Sequence, residues 1–188
     1  MEISMSTLKG QFLIAMPHLL DPFFYKSLAV MVEHNADAAT GVVINRLYQK
    51  ISAKMIFDEL KINYIPSLGK LPVYMGGPVN NTQVLILHGP PLKWIGSVQI
   101  TATLALTQTM DIIHAIAKGS GPERFQIILG QAGWGAGQLE NEFKINYWLN
   151  TPISDEIIFD TPVNQRWDIA TQLTGINPSL MSSMVGHA

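Results

Sequence analysis

The sequence contains no cysteine and unusually little charge. Without Cys, thiol catalysis, disulfides and thiolate metal sites are excluded, and the cytoplasm is the expected location. Charged residues make up 14% of the 188 residues and hydrophobic residues 47%, whereas soluble domains usually carry about 25% charged residues. This shortage of charge indicates extra buried surface, and a homo-oligomer is one way to provide it.

Long apolar runs and an excess of basic residues are also missing. The longest apolar stretches, such as residues 28–32 and 84–87, have strand length, whereas a membrane-spanning helix needs about 20 apolar residues. The start does not resemble a secretory signal, because it carries Glu2 and its apolar run stops at Pro17. The net charge of −2 argues against non-specific nucleic-acid binding. We therefore predict no membrane partner and no direct nucleic-acid partner.

Short apolar segments between Gly, Pro and polar turns predict a single α+β domain over residues 1–188. The segments at 27–34 and 41–46, separated by the polar turn 35–40, predict a hairpin. Strands and helices do not alternate regularly, which favours α+β over a doubly wound sheet. Further strands are expected at residues 11–16, 73–75, 83–88, 97–106 and 125–129. Helices are expected at 52–60, from Thr109 to Gly119, in or just after the Gly-rich segment 130–137, and after Thr161-Pro162 with Trp167, Ala170 and Leu173 as its apolar positions.

Several short segments together resemble the bacterial YqgE/AlgH family. They are Phe-Leu-Ile-Ala-Met-Pro at 12–17, Glu-His-Asn at 33–35 leading to Gly-Val-Val-Ile-Asn at 41–45, Met-Gly-Gly-Pro-Val at 75–79, Gly-Trp-Gly-Ala-Gly-Gln-Leu-Glu at 133–140, Ile-Phe-Asp-Thr-Pro at 158–162 with Arg-Trp at 166–167, and the ending Gly-His-Ala at 186–188. Two departures are visible: Gln131 stands where Tyr is usual, and Arg46-Leu47 where Lys-Pro or Arg-Pro is frequent.

The resemblance implies a fold but no established reaction. The family fold is a single domain with a bifurcated mixed sheet that is partly closed into a small barrel and surrounded by helices. Members are mostly described as uncharacterised, and some carry the label of transcriptional regulator. No catalytic residue, metal or cofactor is implied.

The Gly-rich segment at residues 133–140 is the most informative stretch for function. Its three Gly alternate with Trp and Ala, so backbone N–H groups are open to approach, and a following helix would direct its positive end to the same place. The segment could therefore bind an anion. It does not match the Walker loop. It does not match the dinucleotide fingerprint either, because Gln138 stands where the last Gly of that motif would be required. The alternative is a tight turn that lets Trp134 pack closely.

Polar residues at the end of the second predicted strand are the other candidates. Strand alternation puts Glu33 and Asn35 on one face and His34 on the other. Glu33 or His34 could act as acid or base beside Glu140 if they share a cleft. The alternative is that Asn35 and Asp37 close a turn through side-chain bonds to the backbone. The candidate ligand-binding residues are Glu33, Asn35, Asn45, Gly133, Trp134, Gly135, Gly137, Gln138 and Glu140.

Recognised catalytic motifs are missing. The five His residues have no metal-binding spacing, and no Ser stands in Gly-x-Ser-x-Gly. Gly76-Gly77-Pro78 predicts a turn with positive φ at one Gly. Trp134, Trp148 and Trp167 are too widely spread for a stacking platform, so we assign most of them to the core.

Three functions remain open at the level of sequence. The favoured one is a cytoplasmic, non-enzymatic regulatory or ligand-binding protein that recognises a small anionic ligand or a protein partner. An alternative is a hydrolase or transferase of phosphorylated metabolites, with Glu33 or Glu140 as base and the Gly-rich segment as anion cradle. A further alternative is a transcriptional regulator that binds DNA directly or through a partner, although no helix-turn-helix pattern is present.

Overall fold

One ten-stranded sheet connects the strands of residues 7–176, the part of the chain that the computed structural model describes. The strands are β1 (Gln11–Ala15), β2 (Leu28–His34), β3 (Ala38–Val43), β4 (Leu47–Ser52), β5 (Pro72–Met75), β6 (Val79–His88), β7 (Val98–Gln99), β8 (Ala105–Thr107), β9 (Phe125–Gly135) and β10 (Trp148–Pro152). The α-helices are α1 (Ala53–Glu59), α2 (Met110–Ala117), α3 (Gln138–Lys144), α4 (Asp155–Phe159) and α5 (Arg166–Leu173), with 3-10 turns at Pro66–Lys70 and Val163–Gln165.

The sheet branches at β9. The main path runs β10-β1-β2-β3-β9-β6-β8-β7, and each of its pairs is antiparallel. Residues 132–135 of β9 pair with β3, whereas residues 127–129 lie between β6 on one side and β5, in parallel, on the other. Strand β4 pairs with β5. The sheet is therefore mixed and bifurcated, as the family resemblance implies.

The main path of the sheet curls into a half-barrel. Its inner face buries one apolar cluster that includes Phe12 of β1, Val30 of β2 and Leu106 of β8. Since β1 and β8 lie near opposite ends of the strand order, they share a core only because the sheet curls. Helices α4 and α5 add Ile158 and Trp167 to the same cluster. The α+β prediction is confirmed.

Two further clusters cover the outer faces. One packs α3 and residues 19–24 against the outer face of β1, β2, β3 and β9, with Trp134 and Trp148 at its centre. The other packs α1 and α2 against β5, β6 and β9. Burial of each large apolar side chain contributes about 1.5–3 kcal/mol. None of the helices within residues 7–176 is long and apolar enough to cross a membrane.

Several predicted boundaries shift in the structure. The hairpin of β2 and β3 is present, but β3 begins at Ala38, so the turn is shorter than expected. The segment 97–106 is a hairpin of two short strands, because a turn at Thr101–Thr103 closes on itself, with the Thr103 N–H donating to Thr101 Oγ1 at 3.2 Å. Strand β4 was not predicted, since it contains polar residues and is partly exposed on both faces.

The last helix also begins later than expected. Residues 163–165 form a 3-10 turn after Pro162, and α5 begins at Arg166. Trp167 and Ala170 are buried as predicted, but Leu173 is 56% exposed because it lies at the helix end, beyond the sheet. The predicted family ending at residues 186–188 and His187 lie outside the described residues.

The segment Gly76-Gly77 crosses β9 at very short range. The predicted positive φ is wrong, because both Gly have φ outside the left-handed region. Their absence of a side chain is required by packing instead: a Cβ on Gly77 would lie 1.8 Å from the carbonyl carbon of Gln131, and one on Gly76 would lie 2.3 Å from the carbonyl oxygen of Gly130. The two Gly therefore let the β5–β6 connection pass over the branch point.

Candidate functional site

A bulge in β2 separates the polar residues at the end of this strand. The register shifts between Met31 and Glu33, so Val32 is an extra residue relative to β3. Val32 and Glu33 both line a cavity on the inner side of the curled sheet, which we call the polar cavity. His34 lies against α3 on the other face. Glu33 and His34 thus face different sites.

His34 connects β2 to α3 through a neutral imidazole. Its Nδ1 accepts the backbone N–H of Leu8 at 3.1 Å, so the ring proton is on Nε2, which donates to Glu140 Oε1 at 2.8 Å. This hydrogen bond from His34 lowers the pKa of Glu140. Although the distance fits an ion pair, the bond from Leu8 assigns the uncharged ring. Both ring nitrogens of His34 are occupied, so the pair anchors α3.

Glu33 and Glu140 do not share a cleft. Glu33 lines the polar cavity, whereas Glu140 bonds to His34 on the opposite face of the sheet. The expectation that Glu33 acts beside Glu140 is therefore wrong, whereas His34 does lie beside Glu140. The bulge at Val32 explains the separation, because it sends Glu33 to the inner face and leaves His34 facing α3.

The Gly-rich segment is mostly strand. Gly133 and Gly135 belong to β9 and pair with Thr40 and Ala38 of β3. The Gly135 N–H also donates to Gln138 Oε1 at 3.1 Å. Only Gly137 has positive φ, at the start of the seven-residue α3. Pairing with β3 thus imposes a strand where local composition indicates a turn, and the Gly135 amide is not open to a ligand.

The two candidate Asn residues hold the backbone in place. Asn35 Oδ1 accepts the N–H groups of Asp37 and Ala38 at 2.9 and 3.1 Å, which closes the β2–β3 turn. Asn45 Oδ1 accepts the Leu28 N–H at 2.8 Å, and its Nδ2 donates to the Lys26 carbonyl at 2.9 Å. Both side chains therefore serve to fix the local backbone.

A second cavity brings together three of the sequence candidates: Gly133, Trp134 and Gln138. This aromatic cavity has a volume of about 440 Å³ and lies between α3, β9, β10 and residues 18–24. Its aromatic walls are Phe24, Trp134, Tyr147 and Trp148, and its polar lining is His18, Asp21, Gln138 and Glu142.

The carboxylate of Glu142 is fixed by three N–H donors. The indole Nε1–H groups of Trp134 and Trp148 donate to Oε2 at 2.9 and 2.7 Å. The amide of Gln138 donates to Oε1 at 2.9 Å. In the part of the chain that the structure describes, no basic side chain forms an ion pair with Glu142. The aromatic cavity therefore contains a positioned, uncompensated negative charge.

The aromatic side chains form one packed unit around this carboxylate. The rings of Trp134 and Trp148 lie 5.7 Å apart at 82°, and Phe24 contacts Trp148 edge-on at 5.5 Å. Although the sequence predicts no stacking platform, Trp134 and Trp148 do contact each other, edge to face. Both are core residues as well, being 4% and 1% exposed.

The opposite wall carries His18 and Asp21. His18 packs against Tyr147 at 5.6 Å, and its Nε2 donates to the Ile145 carbonyl at 3.4 Å. Asp21 accepts the N–H groups of Phe23 and Phe24 at 2.8 and 3.0 Å. Among the described residues that line the aromatic cavity, none is Lys or Arg. Because Arg46 interacts electrostatically with Asp21, the uncompensated negative charge of the cavity is that of Glu142.

Sequence reasoning missed Glu142, Trp148 and His18 as site residues. Gln138 and Glu142 stand four positions apart in a helix, which places them on one face and could have extended the candidate set. His18 and Trp148 carry no comparable signal, because they reach the cavity only through the pairing of β1 with β10.

The comparisons with known proteins agree with the fold. A family model described as AlgH-like matches residues 12–179. A UPF0301 protein of Methylococcus capsulatus is 44% identical and the match covers 96% of each chain. A UPF0301 protein of Hahella chejuensis is 43% identical over 100% of both chains.

Solved structures give the same result. The solution structure of the AlgH protein from Pseudomonas aeruginosa matches with a TM-score of 0.81 and 38% identity over 100% of both chains. A crystal structure of a protein from Corynebacterium diphtheriae shares the fold, with a TM-score of 0.69 and 19% identity, over 92% of this chain and 90% of that one. The fold defines an α+β protein with a branched half-barrel sheet. The chain belongs to the AlgH-like family.

Proposed function

We propose that this protein is a cytoplasmic, non-enzymatic regulator that binds a small ligand in the aromatic cavity. The observation that carries the proposal is the carboxylate of Glu142, held by Trp134, Trp148 and Gln138 beside an open volume of about 440 Å³. Ligand sites are typically concave and mostly apolar, with a few positioned polar groups. The regulatory role rests on the family resemblance.

The lining favours a small organic cation instead of the anion expected from the sequence. Asp21 and Glu142 supply negative charge, and the partly exposed Tyr147 supplies an aromatic ring, whose face attracts cations. Because both indole N–H groups of the pair donate to Glu142, the site is organised before a ligand arrives. Preorganisation lowers the entropic cost of binding. An amine or quaternary ammonium group fits this lining.

A binding role also agrees with the chemistry of the lining. Among the described residues of the aromatic cavity, none is Ser, Thr or Lys, and the reactive side chains His18, Asp21 and Glu142 are already hydrogen-bonded to the protein. The Glu142 carboxylate already accepts three hydrogen bonds, which disfavours its use as a base. The cavity therefore suits recognition of a ligand better than its conversion.

The test is a ligand titration followed by Trp fluorescence and calorimetry. Choline and putrescine are the cationic probes, and acetate and phosphate are the anionic ones. We expect the cations to change the Trp emission and to bind, and the anions to have no effect. Glu142→Gln should weaken cation binding about tenfold or more, because it removes the charge that faces the ligand.

Glu156→Gln serves as the matched control, since Glu156 is exposed on α4 and does not line the cavity. Its cation affinity should equal that of the parent protein. The proposal is wrong if phosphate binds as well as choline, or if Glu142→Gln, folded by circular dichroism, leaves cation affinity unchanged.

A further inference from the structure

The polar cavity on the inner side of the half-barrel is a second, separate site. It has a volume of about 370 Å³ and lies at the mouth formed by β2, β6, β7 and β8. One wall is aliphatic, with Val32, Leu85, Val98 and Leu106. These side chains continue into, or pack against, the buried cluster of the half-barrel. The cavity therefore offers an apolar surface for one face of a ligand.

The rim is rich in carboxamides. Asn80, Gln83, Gln108 and Gln131 line it together with the carboxylate of Glu33. A carboxamide presents a donor and an acceptor side by side, which is the pattern found along the edge of a nucleobase. None of the described lining residues is Lys or Arg. A phosphorylated ligand would therefore meet the negative charge of Glu33 without a compensating cation.

One pair of these carboxamides is already oriented. The Nε2 group of Gln83 donates to Oε1 of Gln108. This bond leaves the Gln83 oxygen as an acceptor and the Gln108 nitrogen as a donor. The pair thus presents one group of each kind, and the adjacent Glu33 adds a site that only accepts hydrogen bonds.

The hydrogen bonds of buried His88 use polar groups that could otherwise contact the ligand. His88 is completely buried, and its Nδ1–H donates to the Gly89 carbonyl at 2.7 Å. Because burial disfavours a charged ring, Nε2 is the acceptor of the Thr107 hydroxyl at 2.8 Å, and Thr107 in turn accepts the hydroxyl of Ser97 at 2.7 Å. The Thr107 proton is committed to His88, so recognition of the ligand depends on the carboxamides and Glu33.

We propose that the polar cavity binds an unphosphorylated purine base or nucleoside of the guanine type. The aliphatic wall covers one face of the ring. Glu33 accepts the two adjacent N–H donors at N1 and N2 of guanine, and the free Gln108 nitrogen donates to O6 or N7 on the remaining edge. The volume of about 370 Å³ is within the range of small-molecule sites.

Isothermal titration calorimetry with guanosine, inosine and guanosine monophosphate tests this assignment. We expect guanosine to bind. Inosine, which lacks the N2 amino group, should bind about tenfold more weakly because the site loses a hydrogen bond to a charged acceptor. The monophosphate should also bind more weakly than guanosine, since its charge has the same sign as Glu33.

Glu33→Gln should reduce guanosine affinity about tenfold or more, whereas Glu123→Gln, an exposed carboxylate outside the cavity, should have no effect. Absence of guanosine binding to the folded parent protein at millimolar concentration overturns the proposal. So does binding of the monophosphate at equal or higher affinity. Loss of guanosine binding in Glu142→Gln but not in Glu33→Gln would place the base in the aromatic cavity and would likewise refute it.

Discussion

At the residue scale, hydrogen bonds from neighbouring groups determine which ring nitrogen of two histidines carries the proton. His34 and His88 each donate from one ring nitrogen and accept at the other, so both are uncharged. His34 holds the Glu140 carboxylate, and His88 holds the Thr107 hydroxyl. In each case the imidazole connects two segments that are distant in sequence.

We predict that buried His88 makes the protein less stable in mild acid. Burial lowers the pKa of His88 below its ordinary value of 6.5. The unfolded chain therefore binds a proton more readily than the folded protein. The contribution of neutral His88 to stability is fully present above the ordinary pKa of 6.5 and is lost as the pH falls below it. The slope approaches about 1.4 kcal/mol per pH unit.

Urea denaturation between about pH 7.5 and about pH 5 measures this slope. His88→Gln keeps an amide donor and an acceptor near Gly89 and Thr107 but cannot titrate. Its stability should therefore depend less on pH than that of the parent protein. Equal slopes for the two proteins would contradict the role assigned to His88.

At the scale of elements, the feature that tolerates substitution least is the close backbone packing at the branch point of the sheet. Gly77→Ala places a Cβ 1.8 Å from the Gln131 backbone, and because the obstacle is backbone, rotamer changes cannot relieve it. We expect a loss of about 3 kcal/mol or more. Gly135→Ala is the matched control, since nothing lies within 4 Å of its added Cβ.

Thermal and urea unfolding of both variants measure the effect. The control should unfold within about 1 kcal/mol of the parent protein, with the small change coming from backbone entropy. A Gly77→Ala protein with parental stability would show that the β5–β6 connection can move away from β9.

Sequence reasoning predicted elements whose signal is local. The β2–β3 hairpin and α2 were found because an Asn turn and a Thr109 start mark them. Strand β4 and the Gly-rich end of β9 were missed, since they are strands only because a partner pairs with them. The sequence indicated that Gly is needed at positions 76 and 77, but the reason is a backbone contact with β9 that no local pattern encodes.

For the candidate site, the sequence indicated part of one region, and the small anionic ligand that it predicted stays a prediction. Gly133, Trp134 and Gln138 do line the aromatic cavity. Its carboxylates, Asp21 and Glu142, stand far apart in the chain, so the negative sign could not be read from the Gly-rich segment alone. The separation of Glu33 from Glu140 follows from a bulge that strict alternation does not predict.

At the scale of the whole molecule, Arg166 joins three parts of the fold. It is 3% exposed and donates to the carbonyls of Ile44 and Thr161 at 2.6 and 2.9 Å, and it lies over the ring of Tyr74 at 5.4 Å. Helix α5 is thereby tied to the end of β3 and to β5.

We predict that Arg166→Met lowers the free energy of unfolding by about 3 kcal/mol, because one buried and one partly buried carbonyl lose their donors. Met retains most of the apolar volume, so the loss reports mainly on hydrogen bonds. Arg166→Lys should lose less, since an ammonium group can still donate. Urea denaturation provides the measurement, and a smaller loss for Met than for Lys would contradict the account.

The branch at β9 has a consequence for synthesis on the ribosome. Residues 125–135 complete pairs with β3, β5 and β6, and β1 pairs with residues 148–152. The strands that are synthesised first therefore remain without their pairing partners, with apolar surface exposed, until most of the polypeptide has emerged. Such late, long-range pairing slows acquisition of the native state. The nascent chain is consequently most vulnerable to aggregation and proteolysis just before its last third leaves the exit tunnel.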